Sequence, residues 1–286
     1  MKEFTFANPP DGRCDDHLLG EIQGDLAGRE TILDLIKAYS DEVAAHWRVD
    51  APPFAKLGEL FNRGLAPVSM DGYYHGAAVA FQNEGHLRTF GVNTLNLAWP
   101  LARHFSPWTG KTFESIGVER LRALTDGFET GEVATFWGAN TYTGQTLKQK
   151  AAIEAMRLAQ VEIERATKDE QARGYEVKSF FFIARLAQSV NAENGTKTVF
   201  QFNYRWPRLH TMPPDHYCID ELVQIAEGLY LGQLVYATAL LEKYDPRKPP
   251  AVYQYRNFGY FLLMNDRWYA RKLKIGFDLT PSEVPV

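Results

Sequence analysis

Residues 61–81 read FNRGLAPVSMDGYYHGAAVAF, and after a link residues 106–113 read SPWTGKTF. Gly72 and Gly76 enclose the segment Tyr-Tyr-His, and a second aromatic–glycine pair follows in Trp108 and Gly110. Glycine inside a strand usually marks a bulge, a sharp bend or a close approach of another group, because no Cβ stands in the way. A small sheet needs such kinks in order to curl and close. The stretch therefore predicts a strand with the kinks that a small barrel needs.

The order of these residues also gives a family resemblance. A Pro-Val-Ser lead-in, a glycine–x–aromatic–x–glycine core and a W-x-G-K segment followed by phenylalanine resemble the GXWXG family of small bacterial proteins, over residues 61–113. Tyr74 stands where that family has tryptophan. Residues 218–263 carry a weaker resemblance in their C-I-D and NFGYFLL segments. The resemblance implies a calycin-like (lipocalin-like) antiparallel β-barrel, and it implies a fold much more than a reaction.

The composition is that of a well-packed globular protein of 286 residues, with 45% hydrophobic and 23% charged residues. A formal net charge of -4 argues against a nucleic-acid partner, because nucleic-acid-binding domains normally carry a basic face. The two cysteines, Cys14 and Cys218, are too few for a structural zinc cluster. Without an apolar N-terminal segment or a run long enough for a membrane span, we expect a soluble, cytoplasmic protein.

The pattern predicts an extended N-terminal arm over residues 1–28 and a single barrel-based domain over residues 29–286. Apolar residues at helical spacing predict helices at about 30–47 and 54–62. Charged residues and good helix formers predict one long helix over 145–173, inserted relative to the family pattern and suited to packing or dimerisation. The expected fold class is α+β, mainly β with helical additions.

Segments rich in β-branched and aromatic residues predict strands. Before residue 145 they lie at residues 70–82 and around 133–137, and we interpret residues 94–105 as a helix or helical loop. After residue 174 nearly all of the chain is strand-like, over residues 177–190, 197–206, 217–226, 229–238, 251–264 and 268–277. Short links such as Asn194-Gly195 and Glu227-Gly228 predict a meander of antiparallel strands. Closure of a meander removes its exposed edges.

Familiar catalytic motifs are absent from the sequence. Gly110-Lys111-Thr112 looks like the end of a phosphate-binding loop, but Phe105 stands where the first glycine would be. No G-x-G-x-x-G follows a strand, and neither G-x-S-x-G nor H-E-x-x-H is present. We therefore expect no metal and no cofactor. Haem is an alternative, because some small barrels with a similar glycine–aromatic motif bind it through histidine.

Six residues form the candidate ligand-binding set. Tyr74, His75, Trp108 and Lys111 would line one side of the barrel, and Arg205 with Asp220 would orient the ligand. His75 lies in the glycine-flanked strand and can project into the barrel or away from it. Lys111 is either a surface amine at a turn or a cation at the barrel mouth that meets an acidic head group.

Asp220 and Glu221 cannot both face the barrel interior, because successive side chains of a strand point to opposite faces. One of the two is therefore a candidate interior carboxylate. Its burial would be costly without a cation such as Arg185, Arg205 or Arg256. A structural ion pair and a general base both fit this pattern.

Three functions remain open. The first is a binding protein that holds a small hydrophobic or amphipathic molecule, largely apolar and able to carry an acidic group. The second is an enzyme on the same scaffold, an isomerase, cyclase or hydrolase that uses Asp220 or Glu221 near His75 on a lipid-like substrate. The third is an interaction module in which the helix over 145–173 forms a homodimer and the barrel is solid.

Overall fold

The structure is a computed structural model, and it describes residues 4–8, 10–45, 52–81, 107–211, 215–239, 241–279 and 283. Eight antiparallel strands form a closed β-barrel, and one short strand lies beside it. The strands are β1 (Gly72–Phe81), β2 (Trp108–Ser115), β3 (Thr135–Tyr142), β4 (Ile163–Arg165), β5 (Val177–Gln188), β6 (Thr198–Asn203), β7 (Cys218–Ala226), β8 (Leu229–Ala237) and β9 (Tyr255–Met264). The calycin-like barrel of an α+β protein, predicted from the sequence, is confirmed.

The barrel closes between β3 and β5. Neighbouring strands pair in the order β3-β2-β1-β9-β8-β7-β6-β5-β4, and β3 also pairs with β5. The first residues of β5 pair with β4, whereas its later residues pair with β6. Phe180, with φ 48°, lies where the register between β3 and β5 shifts. Closure thus removes the edges that a flat meander would expose.

Helices accompany the barrel, and some of them pack on its outer face. In the described residues they are α1 (Asp16–Ala27), α2 (Ile32–Ala45), α3 (Pro52–Arg63), α4 (Val118–Leu124), α5 (Leu147–Leu158), α6 (Lys168–Gln171) and α7 (Asp266–Ile275). α2 packs on β1, and α3 contacts β7 and β8. The Ser40 hydroxyl donates to the backbone carbonyl of Val79 in β1. α2 and α3 lie where apolar periodicity predicted helices.

The N-terminal arm is not extended throughout, because it contains α1. The Asp15 carboxylate caps this helix by accepting from the backbone N–H groups of His17 and Leu18. Ile22 and Leu26 are the buried residues of α1, and they join the apolar cluster between the helices and the barrel. Only two buried apolar positions mark this helix, so its periodicity is too short to be recognised.

Residues 145–173 form three elements rather than the single helix expected there. α5 begins with a capping box at Thr146 and ends at Leu158. Gln160 has φ 59°, a conformation that does not continue an α-helix. β4 then pairs with β5, and α6 follows. The prediction of one helix was wrong because pairing with β5 outweighs helix propensity in this segment.

Residues 268–277 belong mostly to α7 and not to a strand, so that prediction was wrong. The Asn265 side chain accepts from the backbone N–H of Trp268 at 3.2 Å, and Gly276, with φ 63°, ends the helix. Trp268 and Lys272, four residues apart, are its buried residues. One helix face therefore packs inward, and this face supplies the aromatic content that suggested a strand.

The glycines of residues 72–110 bring Trp108 onto β1. A Cβ at Gly76 would lie 2.4 Å from the Trp108 ring. Gly110 has φ 150°, and a Cβ there would lie 2.0 Å from the carbonyl oxygen of Tyr74. The register of β2 against β3 also shifts between Trp108 and Gly110. The expectation that these glycines mark a close approach and an irregularity in the strands is confirmed.

The link predicted at Glu227-Gly228 is confirmed. Glu227 and Gly228 form the link between β7 and β8, and Gly228 adopts φ 73°, as a tight hairpin requires. The helix or helical loop expected over residues 94–105 lies outside the described residues. In the part of the chain that is described, no helix is both long enough and apolar enough to cross a bilayer.

Candidate functional site

The barrel interior contains a cavity of about 240 Å³. Most of its wall is apolar or aromatic, and one side is polar; the lining residues are Ala78, Phe81, Trp108, Lys111, Asn140, Tyr142, Phe180, Tyr204, Asp215, Cys218, Asp220, Leu234, Phe258 and Phe261. Water occupies about 30 Å³ per molecule in the liquid, so the cavity has room for about eight waters or one small organic molecule. Other aromatic side chains fill the rest of the interior, among them Phe113, Phe136, Phe200 and Phe202.

The polar wall consists of Lys111, Asn140, Tyr204 and Asp220, and the lysine holds it together. The side chains of Lys111 and Asp220 are each only 4% exposed. Lys111 Nζ donates to Asn140 Oδ1 at 2.7 Å, to the Tyr204 hydroxyl at 2.6 Å and to Asp220 Oδ2 at 3.0 Å. An ammonium group carries three N–H donors, so all three are used within the wall.

The remaining members of the polar wall bond to one another. The Tyr204 hydroxyl donates to Asp220 Oδ2 at 2.9 Å, and Asn140 Nδ2 donates to the Tyr204 oxygen at 3.2 Å. The Trp108 indole N–H donates to Asn140 Oδ1 at 3.1 Å. Burial, reinforced by the charge of Asp220, raises the pKa of Tyr204 well above its ordinary value, so the phenol stays a donor. A satisfied network of this kind is rigid.

Aromatic rings surround the lysine ammonium. Lys111 Nζ lies 5.2–5.9 Å from five ring centroids, those of Trp108, Phe182, Phe202, Tyr204 and Phe261. Ring faces attract cations, most strongly where water is excluded. Together with the carboxylate of Asp220, these rings offset the cost of burying the charge. The interior of this barrel therefore accommodates a cation well.

Asp215 brings a second carboxylate to the cavity. It begins a short 3-10 helix (Asp215–Tyr217) just before β7 and is partly buried. Its carboxylate makes no ion pair and no hydrogen bond to another side chain within the described residues. Burial, followed by the negative charge of Asp220, raises the pKa of Asp215 to about 7, although Lys111 acts in the opposite direction. In the sequence Asp215 is a single acidic residue that follows two prolines and precedes a strand. This arrangement forms no motif, so sequence analysis missed it.

Two neutral groups complete this side of the cavity. Burial, with the charges of Asp215 and Asp220, raises the pKa of Tyr142 and that of the Cys218 thiol well above their ordinary values. Both groups therefore remain protonated in the physiological range. Within the described residues the Tyr142 hydroxyl has no hydrogen-bond partner. It can donate to a guest molecule or accept from one.

Three of the six predicted ligand-binding residues line the cavity, namely Trp108, Lys111 and Asp220. Tyr74 also faces the interior, where its ring centroid lies 5.5 Å from that of Tyr230. It belongs to the aromatic filling and does not line the cavity. The other two predicted residues lie elsewhere.

His75 faces the outside of the barrel. Its ring stacks on Tyr269 of α7 with centroids 3.7 Å apart, and its Nε2 lies 2.9 Å from Asp266 Oδ1. Burial lowers the pKa of His75, although Asp266 acts in the opposite direction. This position separates His75 from Asp220, so that pairing of the enzyme hypothesis is not assembled. His75 is likewise not placed to bind haem in the barrel interior.

Arg205 is buried in a separate aromatic cage. Its guanidinium donates to the Tyr255 hydroxyl and lies 4.4 Å from the ring centroid of Tyr253 and 5.1 Å from that of Tyr244. Arg205 does not line the cavity. The cation that pairs with Asp220 is Lys111, and none of the three arginines proposed from the sequence fills that role.

Glu221 confirms the alternation predicted for β7. It is fully buried on the outer side of the strand, where its carboxylate accepts from the Ser189 hydroxyl, the Val190 backbone N–H and the Gln233 amide, each at 2.6 Å. Burial raises the pKa of Glu221, while these hydrogen bonds act against that rise. The carboxylate thus fastens the link between β5 and β6 and does not reach the cavity.

The site therefore combines one aromatic cavity, a polar wall whose donors are used internally, and two groups, Asp215 and Tyr142, with no side-chain partner in the described chain. Such a site can hold a small guest and orient it through those two groups. In comparisons with protein-family models, with curated proteins and with solved structures, no match to this chain was found.

Proposed function

We propose that this protein binds one small, largely apolar molecule inside its barrel. The observation that carries the proposal is the cavity of about 240 Å³ with aromatic walls and a few convergent polar groups. Binding sites for small molecules have this composition, although most are somewhat larger. A cavity of this size suits a one- or two-ring compound better than a long lipid.

The hydrogen bonds of the polar wall limit which ligands the cavity can hold. An acidic head group, which the sequence suggested, would need a free cation, but the three N–H groups of Lys111 already bond within the wall. Two groups of the cavity lining make no side-chain hydrogen bond within the described residues, the carboxyl group of Asp215 and the phenol of Tyr142. We infer that the guest is neutral or presents hydrogen-bond donors.

The GXWXG resemblance also remains a proposal. Its W-x-G-K segment supplies Trp108 and Lys111 to the cavity, and its glycines allow the indole ring to lie against β1. These placements support the resemblance without specifying a ligand. The interaction-module hypothesis has less support, because it relied on a single helix over 145–173 and on a solid barrel.

Toluene is a suitable first probe, because it is apolar and small enough for the cavity. We expect isothermal titration calorimetry to detect one site per chain. Ala78→Leu places a larger side chain on the cavity wall and is expected to weaken toluene binding at least tenfold. Ala151→Leu, on the exposed face of α5, is the matched control and should leave the affinity unchanged. Toluene affinity that is the same in both variants would place binding outside the barrel.

A further inference from the structure

The cavity wall carries more carboxyl groups than cations. Three charged residues line it in the described chain, one cation and two carboxylates. Lys111 lies 3.0 Å from Asp220 and so neutralises that carboxylate. Asp215 is left without an ion pair in the part of the chain that the structure describes. A buried charge is normally paired, and one that is not makes a site that favours an opposite charge.

The hydrogen-bonding capacity of the wall points in the same direction. The N–H and O–H donors of Lys111, Trp108 and Tyr204 are directed at acceptors within the wall. An anionic guest would therefore find little besides the Tyr142 hydroxyl to donate to it. A cationic guest would find the Asp215 carboxylate and the Tyr142 oxygen as acceptors. The described wall thus offers stronger free acceptors than donors.

The aromatic walls suit a cation as well as an apolar ring. Trp108, Phe180, Phe258 and Phe261 line the same cavity as Asp215. The ammonium of Lys111 already lies 5.3 Å from the Phe261 centroid and 5.9 Å from that of Trp108. A second ammonium in this cavity would gain similar interactions with ring faces.

We propose that the ligand of this cavity is a small aromatic or cyclic amine, bound as its ammonium ion with the charge against Asp215 and the Tyr142 hydroxyl and with its ring among the aromatic walls. This inference rests on the proposed function, because it names the ligand class of the same cavity. It adds a recognition residue, Asp215, and it excludes carboxylic acids from the preferred ligands.

The charge of Asp215 also sets the pH dependence of binding. The groups that face it are Asp220, which raises its pKa, Lys111, which lowers it, and the protonated side chains of Tyr142, Tyr204 and Cys218. An ammonium ion favours ionised Asp215, so binding lowers the pKa from about 7. Amine affinity therefore rises with pH through that region. Between pH 6 and pH 8 the rise should be about tenfold, because one proton is released on binding.

A charge series of probes with one ring size tests the proposal. Toluene, benzyl alcohol, benzylamine and benzoate are titrated into the unmodified full-length protein at pH 8, by calorimetry. Benzylamine is expected to bind at least tenfold more tightly than benzyl alcohol, and benzoate is expected to bind most weakly. Repeating the benzylamine titration at pH 6 should weaken binding about tenfold, whereas toluene affinity should not change.

Variants assign the preference to Asp215. Asp215→Asn should bring benzylamine to the affinity of benzyl alcohol and abolish the pH dependence, with toluene binding retained. Asp126→Asn removes an exposed carboxylate that pairs with Arg208 at 3.0 Å, and it should behave like the unmodified protein.

Two outcomes separate this inference from the proposed function. If toluene binds in the cavity and benzylamine binds no better than benzyl alcohol, or retains its advantage in Asp215→Asn, the amine proposal is overturned and the cavity remains a binding site. If none of the four probes binds, the proposed function itself fails, and the amine proposal fails with it.

Discussion

The carboxylate of Asp215 should reduce the stability of the folded protein at alkaline pH. Its pKa rises from 3.8 to about 7 on folding, chiefly because of burial. The folded protein therefore binds more protons than the unfolded chain between about pH 4 and pH 7, and its free energy of unfolding falls as pH rises through that range. Replacement of Asp215 by asparagine removes the titrating group while keeping size and polarity. The variant should be more stable than the parent above pH 7.

The magnitude follows from the same shift. One pKa unit corresponds to about 1.4 kcal/mol, so the full shift sets an upper limit of about 4 kcal/mol. Asp215 is only partly buried, and solvent screening reduces this figure, so we expect a gain of about 1–3 kcal/mol for Asp215→Asn at pH 8.5. At pH 5 the gain should be smaller, because the folded parent is then protonated at Asp215.

Urea unfolding at both pH values measures the difference, with Asp126→Asn as the control. Asp126 is exposed, and its replacement should change the free energy of unfolding by no more than about 0.5 kcal/mol at either pH. If Asp215→Asn is no more stable than the parent at pH 8.5, the carboxylate has a compensating partner, and the excess negative charge inferred for the cavity does not exist. If Asp215→Asn raises the free energy of unfolding only at pH 8.5, the ionised carboxylate of Asp215 destabilises the fold. Ligand-binding residues often have this effect.

Three further variants test other parts of the structure. Lys111→Met leaves the buried carboxylate of Asp220 unpaired and should lower the free energy of unfolding by about 3–5 kcal/mol. In a double-mutant cycle, Asp220→Asn should restore part of that loss. Gly76→Ala should cost about 1–3 kcal/mol in urea unfolding and shift the fluorescence of the indole ring that lies on it, whereas Gly24→Ala, in open space on α1, should be neutral or stabilising. Because burial lowers the pKa of His75 below 6.5, stability should fall with decreasing pH below that value, and His75→Phe should reduce the loss.

The barrel was predictable because its signals are local. These signals are the alternation of side chains along each strand, the glycines around Trp108 and the two-residue link at Gly228. Each of them constrains neighbouring residues, and pairing of consecutive strands follows from short links. Residues 268–277 show the limit of this reasoning. Their aromatic residues fit a strand and the buried face of a helix equally well. The N-cap at Asn265 indicates a helix, but it is recognised as a cap only when the preceding strand is known to end at Met264.

The site was only partly predictable because its residues are distant in sequence. Strand alternation correctly placed either Asp220 or Glu221 inside, but the partner of Asp220 depends on which strands face each other across the barrel. Lys111 is that partner, although the sequence suggested arginines. Asp215 begins a short 3-10 helix that no sequence pattern marks, and its raised pKa comes from burial and from the charge of Asp220, which no local pattern encodes. The cytoplasmic location and the homodimer stay predictions.

Two aromatic rings of the cavity wall pack directly on glycines of the barrel. The Trp108 ring covers Gly76, and the Phe261 ring covers Gly232, where a Cβ would lie 2.1 Å from the ring. A side chain at either glycine would push its ring toward the barrel axis, into the space that the cavity now occupies. The glycine–aromatic pairs therefore do more than curve the sheet. They let two aromatic rings lie close to the barrel backbone, which leaves a cavity beside the polar wall. The residues that determine the fold therefore also determine the space for a ligand.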